Sequence, residues 1–253
     1  MDIAAIVGLI SGISLILLGQ AMEGGNIGQL LQVTAALIVF GGTFGAVALS
    51  FPADQLKNAV MMMGDVFGVC EVDFNAVISE LLTFAQKARK EGIIALEKEA
   101  KSASDPVLKL GLEAVSDGAD PTLVKEMMEN QLAQLEAKVA GAAKVWESAG
   151  AYSPTLGIVG AVMGLIQVMQ NLSDPSKLGA GIAVAFVATI YGLFAANLVF
   201  IPSSTRIKFK YQKVFLKKEM IIEGVLSIQA GESPALIERK LQTFLLTDGK
   251  SEA

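Results

Sequence analysis

The 253-residue chain contains no histidine and a single cysteine, Cys70. Without histidine there is no Ser-His-Asp or Cys-His nucleophile, no imidazole metal ligand and no zinc-protease motif. One cysteine cannot close a disulfide within the chain, and its flanks, Gly68-Val69-Cys70-Glu71, read as an ordinary helix end. No P-loop and no dinucleotide fingerprint occurs, so any energy the protein transduces does not come from its own ATPase. Neither an enzyme nor a bound cofactor is expected.

Charge is also missing, but only in places. Residues 3–22, 24–53, 148–173 and 178–205 hold no Asp, Glu, Lys or Arg. The chain is 53% hydrophobic with a mean hydropathy of +0.54, yet 18% of its residues are charged, so the charges are segregated. Each run is long enough to cross a hydrocarbon core of roughly 30 Å at about 1.5 Å per residue. Four membrane helices are predicted, at about 3–20, 29–51, 154–173 and 180–202. The first begins Met1-Asp2 rather than with a basic region, and QAMEGG is a poor cleavage site, so it is read as a retained helix rather than a leader.

Basic residues orient the bundle. Of twenty Lys and Arg, ten lie between Lys57 and Lys144, nine between Arg206 and Lys250, and only Lys177 falls in a short connection. The cluster Arg206, Lys208, Lys210, Lys213, Lys217 and Lys218 follows directly on Pro202. The positive-inside rule then places the middle segment, the tail and both termini in the cytoplasm. The middle segment is nonetheless acidic, with sixteen Asp and Glu against ten basic residues, which argues against a nucleic-acid partner. The fold class expected is all-α: a four-helix polytopic membrane protein with a helical cytoplasmic domain between helices 2 and 3 and a cytoplasmic C-terminal tail. The domains read as 1–52 (membrane helices 1 and 2), 53–150 (cytoplasmic), 151–203 (membrane helices 3 and 4) and 204–253 (tail).

Local signals place helices in the middle segment. Asp73 before Phe74, Asp105 before Pro106 and Asp120 before Pro121 each set a capping carboxylate ahead of an apolar-periodic stretch. From Asp120, Val124, Met127, Met128, Leu132, Leu135, Val139, Ala143 and Trp146 recur at three- and four-residue steps, one packing stripe on a long helix. Trp146 and Tyr152 stand where an interfacial aromatic belt would. Ser153-Pro154 reads as a capped helix start, and Pro202 as a residue that limits how the fourth span continues. Gly8/Gly12, Gly41/Gly45 and Gly160/Gly164 have the spacing that lets helix backbones approach.

An ion-coupled machine ordinarily holds an ionisable group within the membrane. These spans offer uncharged polar groups instead, among them Thr34, Thr43, Thr155, Gln167, Thr189, Tyr191 and Asn197. Either the protein moves no ions, or a partner helix supplies the carboxylate while this chain builds the walls. A passive membrane scaffold or small transporter also fits the uncharged helices.

The run Ala185-Phe186-Val187-Ala188-Thr189-Ile190-Tyr191-Gly192-Leu193-Phe194, followed by Pro202, resembles the signature of MotA-type flagellar stator subunits, the sodium-type PomA proteins included. The start MDIAAIVGLISG, the VTAALIVFGGTFGA helix, ARKEGIIALE at 88–97 and EGVLSIQAGESPALIERKL at 223–241 are similar to the same family. TolQ and ExbB energisers of periplasmic systems, with three spans, are the related alternative. The resemblance implies a pentameric ring of this chain in the lipid of a bacterial inner membrane, around a MotB-type partner that brings the membrane aspartate. It further implies contact with the rotor protein FliG through Arg89, Lys90 and Glu97, and coupling of ion flow to movement at Pro154 and Pro202. Residues 89 and 97 would share one face of a continuous helix, although Gly92 intervenes. Sodium-type members carry a threonine where this chain has Ala161, while Thr189 is present. Loss of that oxygen points to the proton as coupling ion, with sodium as the alternative.

Overall fold

The computed structural model describes residues 2–69 and 72–246, and among these every regular element is helical. In chain order, α1 is Ile3–Met22, and a short 3-10 turn at Ile27–Leu30 leads into α2. Helix α2 runs without interruption through Val33–Ala36, a π-helical stretch at Leu37–Gly41, and Gly42–Ser50. Then come α3 (Ala53–Phe67), α4 (Phe74–Glu91), α5 (Leu96–Ala100) and α6 (Pro106–Ser116). Helix α7 spans Pro121–Gln170, and α8 (Pro175–Phe194) passes through a second π-helical stretch, Ala195–Phe200, into α9 (Ile201–Gln229). Helix α10 is Pro234–Leu246. Four helical runs are long and apolar enough to cross a membrane: Ile3–Met22, Ile27–Ser50, Pro121–Gln170 and Leu178–Gln229.

The expected capping carboxylates are in place. Asp73 accepts from the Ala76 N–H at 3.0 Å, Asp105 from Val107 at 2.9 Å and Asp120 from Thr122 at 2.8 Å. Each satisfies an amide that a helix start leaves unpaired.

Two sequence expectations need correction. Ser153-Pro154 does not start a helix; Pro154 lies inside α7. A proline there removes the hydrogen bond to the Gly150 carbonyl and crowds that carbonyl, yet the helix runs on through it. Nor does Pro202 stop the helix, for it is the second residue of α9. The π-helical turn just before it has already broken the regular i to i−4 ladder, so the missing proline N–H costs the helix little.

The chain folds as two compact units, Met1–Val69 with Lys138–Phe209, and Cys70–Ala137 with Lys210–Ala253. In the first, α1, α2 and α3 pack with the apolar parts of α7 and α8. Tyr191 donates its hydroxyl to the Leu30 carbonyl at 2.5 Å and accepts from the Gln32 N–H at 3.1 Å, pinning the start of α2. Trp146 stacks on Phe200 with ring centroids 5.8 Å apart and donates to the Ala59 carbonyl at 2.9 Å. An indole with one edge bonded and its face stacked suits a packed interfacial site. Asp2 pairs with Arg206, and its N–H reaches the Phe67 carbonyl at 2.8 Å.

The second unit has an aliphatic core in which Leu81, Leu96, Leu108, Leu112, Met128 and Ile221 are fully buried. Burial of each such side chain contributes about 1.5–3 kcal/mol. Asp105 fixes the start of α6 to α9 by pairing with Lys217 and Lys218, each at 2.8 Å. Burial pushes its carboxyl pKa up, but the hydrogen bonds from the two ammonium groups and the Val107 amide outweigh that and hold it below the ordinary value.

Candidate functional site

Two groups of residues carry the functional reading, one in each unit. In the first, α7 and α8 approach at backbone distance. A methyl group placed on Gly192 would lie 2.6 Å from the Ser153 carbonyl oxygen and 3.1 Å from Pro154 Cα. One on Gly157 would meet the Ala188 carbonyl at 2.9 Å, and one on Gly164 the Gly181 carbonyl at 2.6 Å. Only glycine permits this spacing, and bare backbones make the crossing rigid without any polar core. Of the three spacing pairs, Gly160/Gly164 is the one used on this crossing. No other atom comes near the side-chain positions of Gly8, Gly41 or Gly45, and Gly12 meets only the Leu198 side chain.

This crossing brings Pro154 and Thr189 together. Gly157, one turn on from Pro154, has Thr189 Cα 3.3 Å from its side-chain position. The buried Ser153 hydroxyl donates to the Gly192 carbonyl at 3.1 Å, tying α7 to α8 beside the proline. Thr189 donates to the Ala185 carbonyl one turn back at 3.1 Å, so its hydroxyl oxygen keeps only acceptor capacity. Ala161 lies two turns beyond Pro154, half-buried, and supplies no oxygen. Pro202 does not join them. It is exposed and lines a separate cavity of about 240 Å³ with Ala4, Gly8, Phe67, Asn197 and Arg206. Among the described residues no cluster of His, Cys, Asp or Glu is arranged to hold a metal.

Around the basic residues after Pro202, local pairing replaces free charge. Lys208 and Lys144 both bond Glu147, at 2.8 and 2.7 Å, and these bonds draw the Glu147 carboxyl down to about 2. Sequence reading missed the Lys208–Glu147 and Asp2–Arg206 pairs, because nothing local marks contacts across 61 residues or more.

In the second unit, Arg89 and Lys90 occupy the last turn of α4 and Glu97 the first turn of α5. The continuous helix that would have set residues 89 and 97 on one face is broken by Gly92 at φ 86°. That conformation is open to glycine and strained for other residues. A 3-10 turn, Ile93–Ala95, follows. Lys87 and Glu99, 2.5 Å apart, close the two helices on each other behind the turn. Arg89, Lys90 and Glu97 are all exposed, and the described residues offer none of them an ion partner.

Comparison with known proteins agrees over the whole length. The model of the MotA/TolQ/ExbB proton channel family matches residues 99–220. "Motility protein A" of Treponema pallidum (strain Nichols) is 34% identical over 245 residues, covering 97% of this chain and 94% of that protein. Among solved structures, "Structure of C. jejuni MotAB" superposes with a TM-score of 0.90 at 32% identity, covering 96% of both chains. The flagellar MotAB stator complex from Bacillus subtilis gives 0.86 at 31% identity, covering 95% of both.

Proposed function

The chain belongs to the motility protein A family of MotA/TolQ/ExbB proton channels, and from that premise we propose that it is the ring-forming subunit of a flagellar stator. It forms an ion channel with a MotB-type partner and converts ion flow into torque on the rotor. The single observation that carries this reading is the charge-free crossing of α7 and α8, with Ser153 and Thr189 among its polar groups and no carboxylate in any of the four charge-free runs. Such a wall conducts only when another chain brings the ionisable residue. A four-span chain with relatives of the same length favours the stator over a three-span TolQ/ExbB energiser.

In this reading five copies ring a MotB-type dimer in the lipid of the inner membrane, with both termini in the cytoplasm. The partner's aspartate binds and releases the ion beside Thr189. The coupling ion is the proton, since Ala161 withholds the oxygen a sodium cage would need. Each charge crossing yields about 2.3 kcal/mol per 100 mV, enough to shift packed helices but not to unfold them. Pro154, on the crossing, and Pro202, just past the π-helical turn, are the points where helix geometry yields. The rotor protein FliG meets Arg89, Lys90 and Glu97.

The test is co-expression with a partner bearing one membrane Asp, in cells lacking their own stators, with torque recorded for the wild type, Arg89→Glu and Glu97→Lys. Torque in the wild type and its reduction in both variants is expected. Unchanged torque in both variants would sink the rotor contact, and failure of any partner to co-purify would sink the stator reading. Swimming that follows sodium and survives collapse of the proton gradient would overturn the proton assignment.

A further inference from the structure

We propose that Ile94, with Ile93 beside it, is the apolar anchor of the rotor contact and seats in an apolar pocket on the rotor protein, while Arg89, Lys90 and Glu97 form the charged rim. The inference rests on the stator reading and names what the charges alone leave out.

Among the described residues of the second unit, the exposed large apolar side chains are Ile93, Ile94, Leu123 and Leu236. Ile94 is the most exposed, at 77%, and its neighbour Ile93 is exposed at 37%. Two adjacent isoleucines at the tip of a turn are unlike single surface residues, which need no explanation. Here the unit has turned an aliphatic pair outward, although Leu96, two residues on, is completely buried.

The tip is held in shape. Gly92 reverses the chain at φ 86° and its N–H bonds the Ala88 carbonyl at 3.0 Å. The Ala95 N–H reaches the Gly92 carbonyl at 3.2 Å, and Leu96 and Ala100 root the far side in the core. Lys87 and Glu99 staple the base. A side chain projected from a fixed turn loses little freedom on docking, so its buried area counts nearly in full.

The setting is that of an interface centre. In the chain Arg89, Lys90 and Glu91 precede the isoleucines and Glu97 and Lys98 follow them, all exposed. Exposed ion pairs are screened at cellular salt and contribute little alone, whereas a dry apolar anchor inside a polar rim carries most of an interface's energy. The complementary surface is therefore an apolar pocket within a rim that carries charges of both signs. Charge then guides the approach and sets orientation, and the isoleucine sets how long the contact lasts.

The experiment follows single fluorescent stators at rotating motors for the wild type, Ile94→Ser and Ile94→Leu, each co-expressed with the MotB-type partner. Ile94→Ser is expected to shorten the dwell time about tenfold and Ile94→Leu to keep it within about twofold. In a Cys70→Ser background, Ile94→Cys should crosslink to cysteines placed on the rotor protein. Wild-type dwell for Ile94→Ser overturns the anchor, as does crosslinking of Ile94→Cys only to a second copy of this chain. If Ile94→Ser does not accumulate, the crosslink decides. A wild-type chain that drives no rotation with any partner defeats the stator reading itself, and the anchor with it; rotation with wild-type dwell in Ile94→Ser defeats the anchor alone.

Discussion

Ser153 on α7 donates its buried hydroxyl to the Gly192 carbonyl on α8 at 3.1 Å, one residue before Pro154. The bond sits where the two backbones are close, and a methyl group on Gly192 would come within 2.6 Å of the Ser153 carbonyl oxygen. Gly192→Ala should therefore force the helices apart, at about 1–3 kcal/mol for an overpacked site. Thermal unfolding of the detergent-solubilised chain, followed by Trp146 fluorescence, should show a lower midpoint. Gly41→Ala, where the added carbon meets nothing within 4 Å beyond its own helix, should leave it unchanged or raise it.

Pro154→Ala separates stability from coupling. Alanine restores an amide that can bond the Gly150 carbonyl, and removing a helix-interior proline is worth up to about 3 kcal/mol. The thermal midpoint should rise while swimming speed falls, because the proline's local freedom is lost. A stabilised variant that swims at full speed would show that Pro154 is not a point of coupling.

Asp105 should dominate the acid limit of the second unit. Its carboxyl pKa is held below the ordinary 3.8, so the stability it confers is complete above that value and fades as pH falls through the lowered one. Asp105→Asn keeps the side-chain cap but leaves the buried Lys218 facing a neutral group, which costs about 3–5 kcal/mol at neutral pH. Circular dichroism of the solubilised chain against pH should show the variant less stable at pH 7 and less sensitive to pH below about 4.

Much of this architecture is legible from the residues, and the reason differs by element. Charge-free runs and capping aspartates are local signals: the caps at Asp73, Asp105 and Asp120 each form within three residues of the carboxylate. Ser153-Pro154 carries the same local pattern and misleads, because bundle packing keeps α7 continuous through a proline. Pro202 misleads for a related reason, the π-helical turn at Ala195–Phe200 having no sequence mark of its own. Pairings such as Asp105 with Lys218 or Tyr191 with Leu30 join residues more than a hundred positions apart, where periodicity has no reach. At the site, Pro154 and Thr189 do lie on one crossing, whereas the turn that separates Arg89 from Glu97 and lifts Ile94 out depends on the positive φ at Gly92.

The most direct measurement is proton flux through vesicles holding this chain with its MotB-type partner. Flux should require the partner's membrane Asp and stop when that residue is changed to Asn. Thr189→Val keeps the side chain's shape but removes the hydroxyl, and one hydrogen bond of about 0.5–1.5 kcal/mol corresponds to a fall of up to about tenfold. Thr189→Ser should stay close to the wild type. Proton flux through the chain alone, or flux that persists with the partner's Asp changed to Asn, would contradict the assignment of walls to this chain and carrier to its partner.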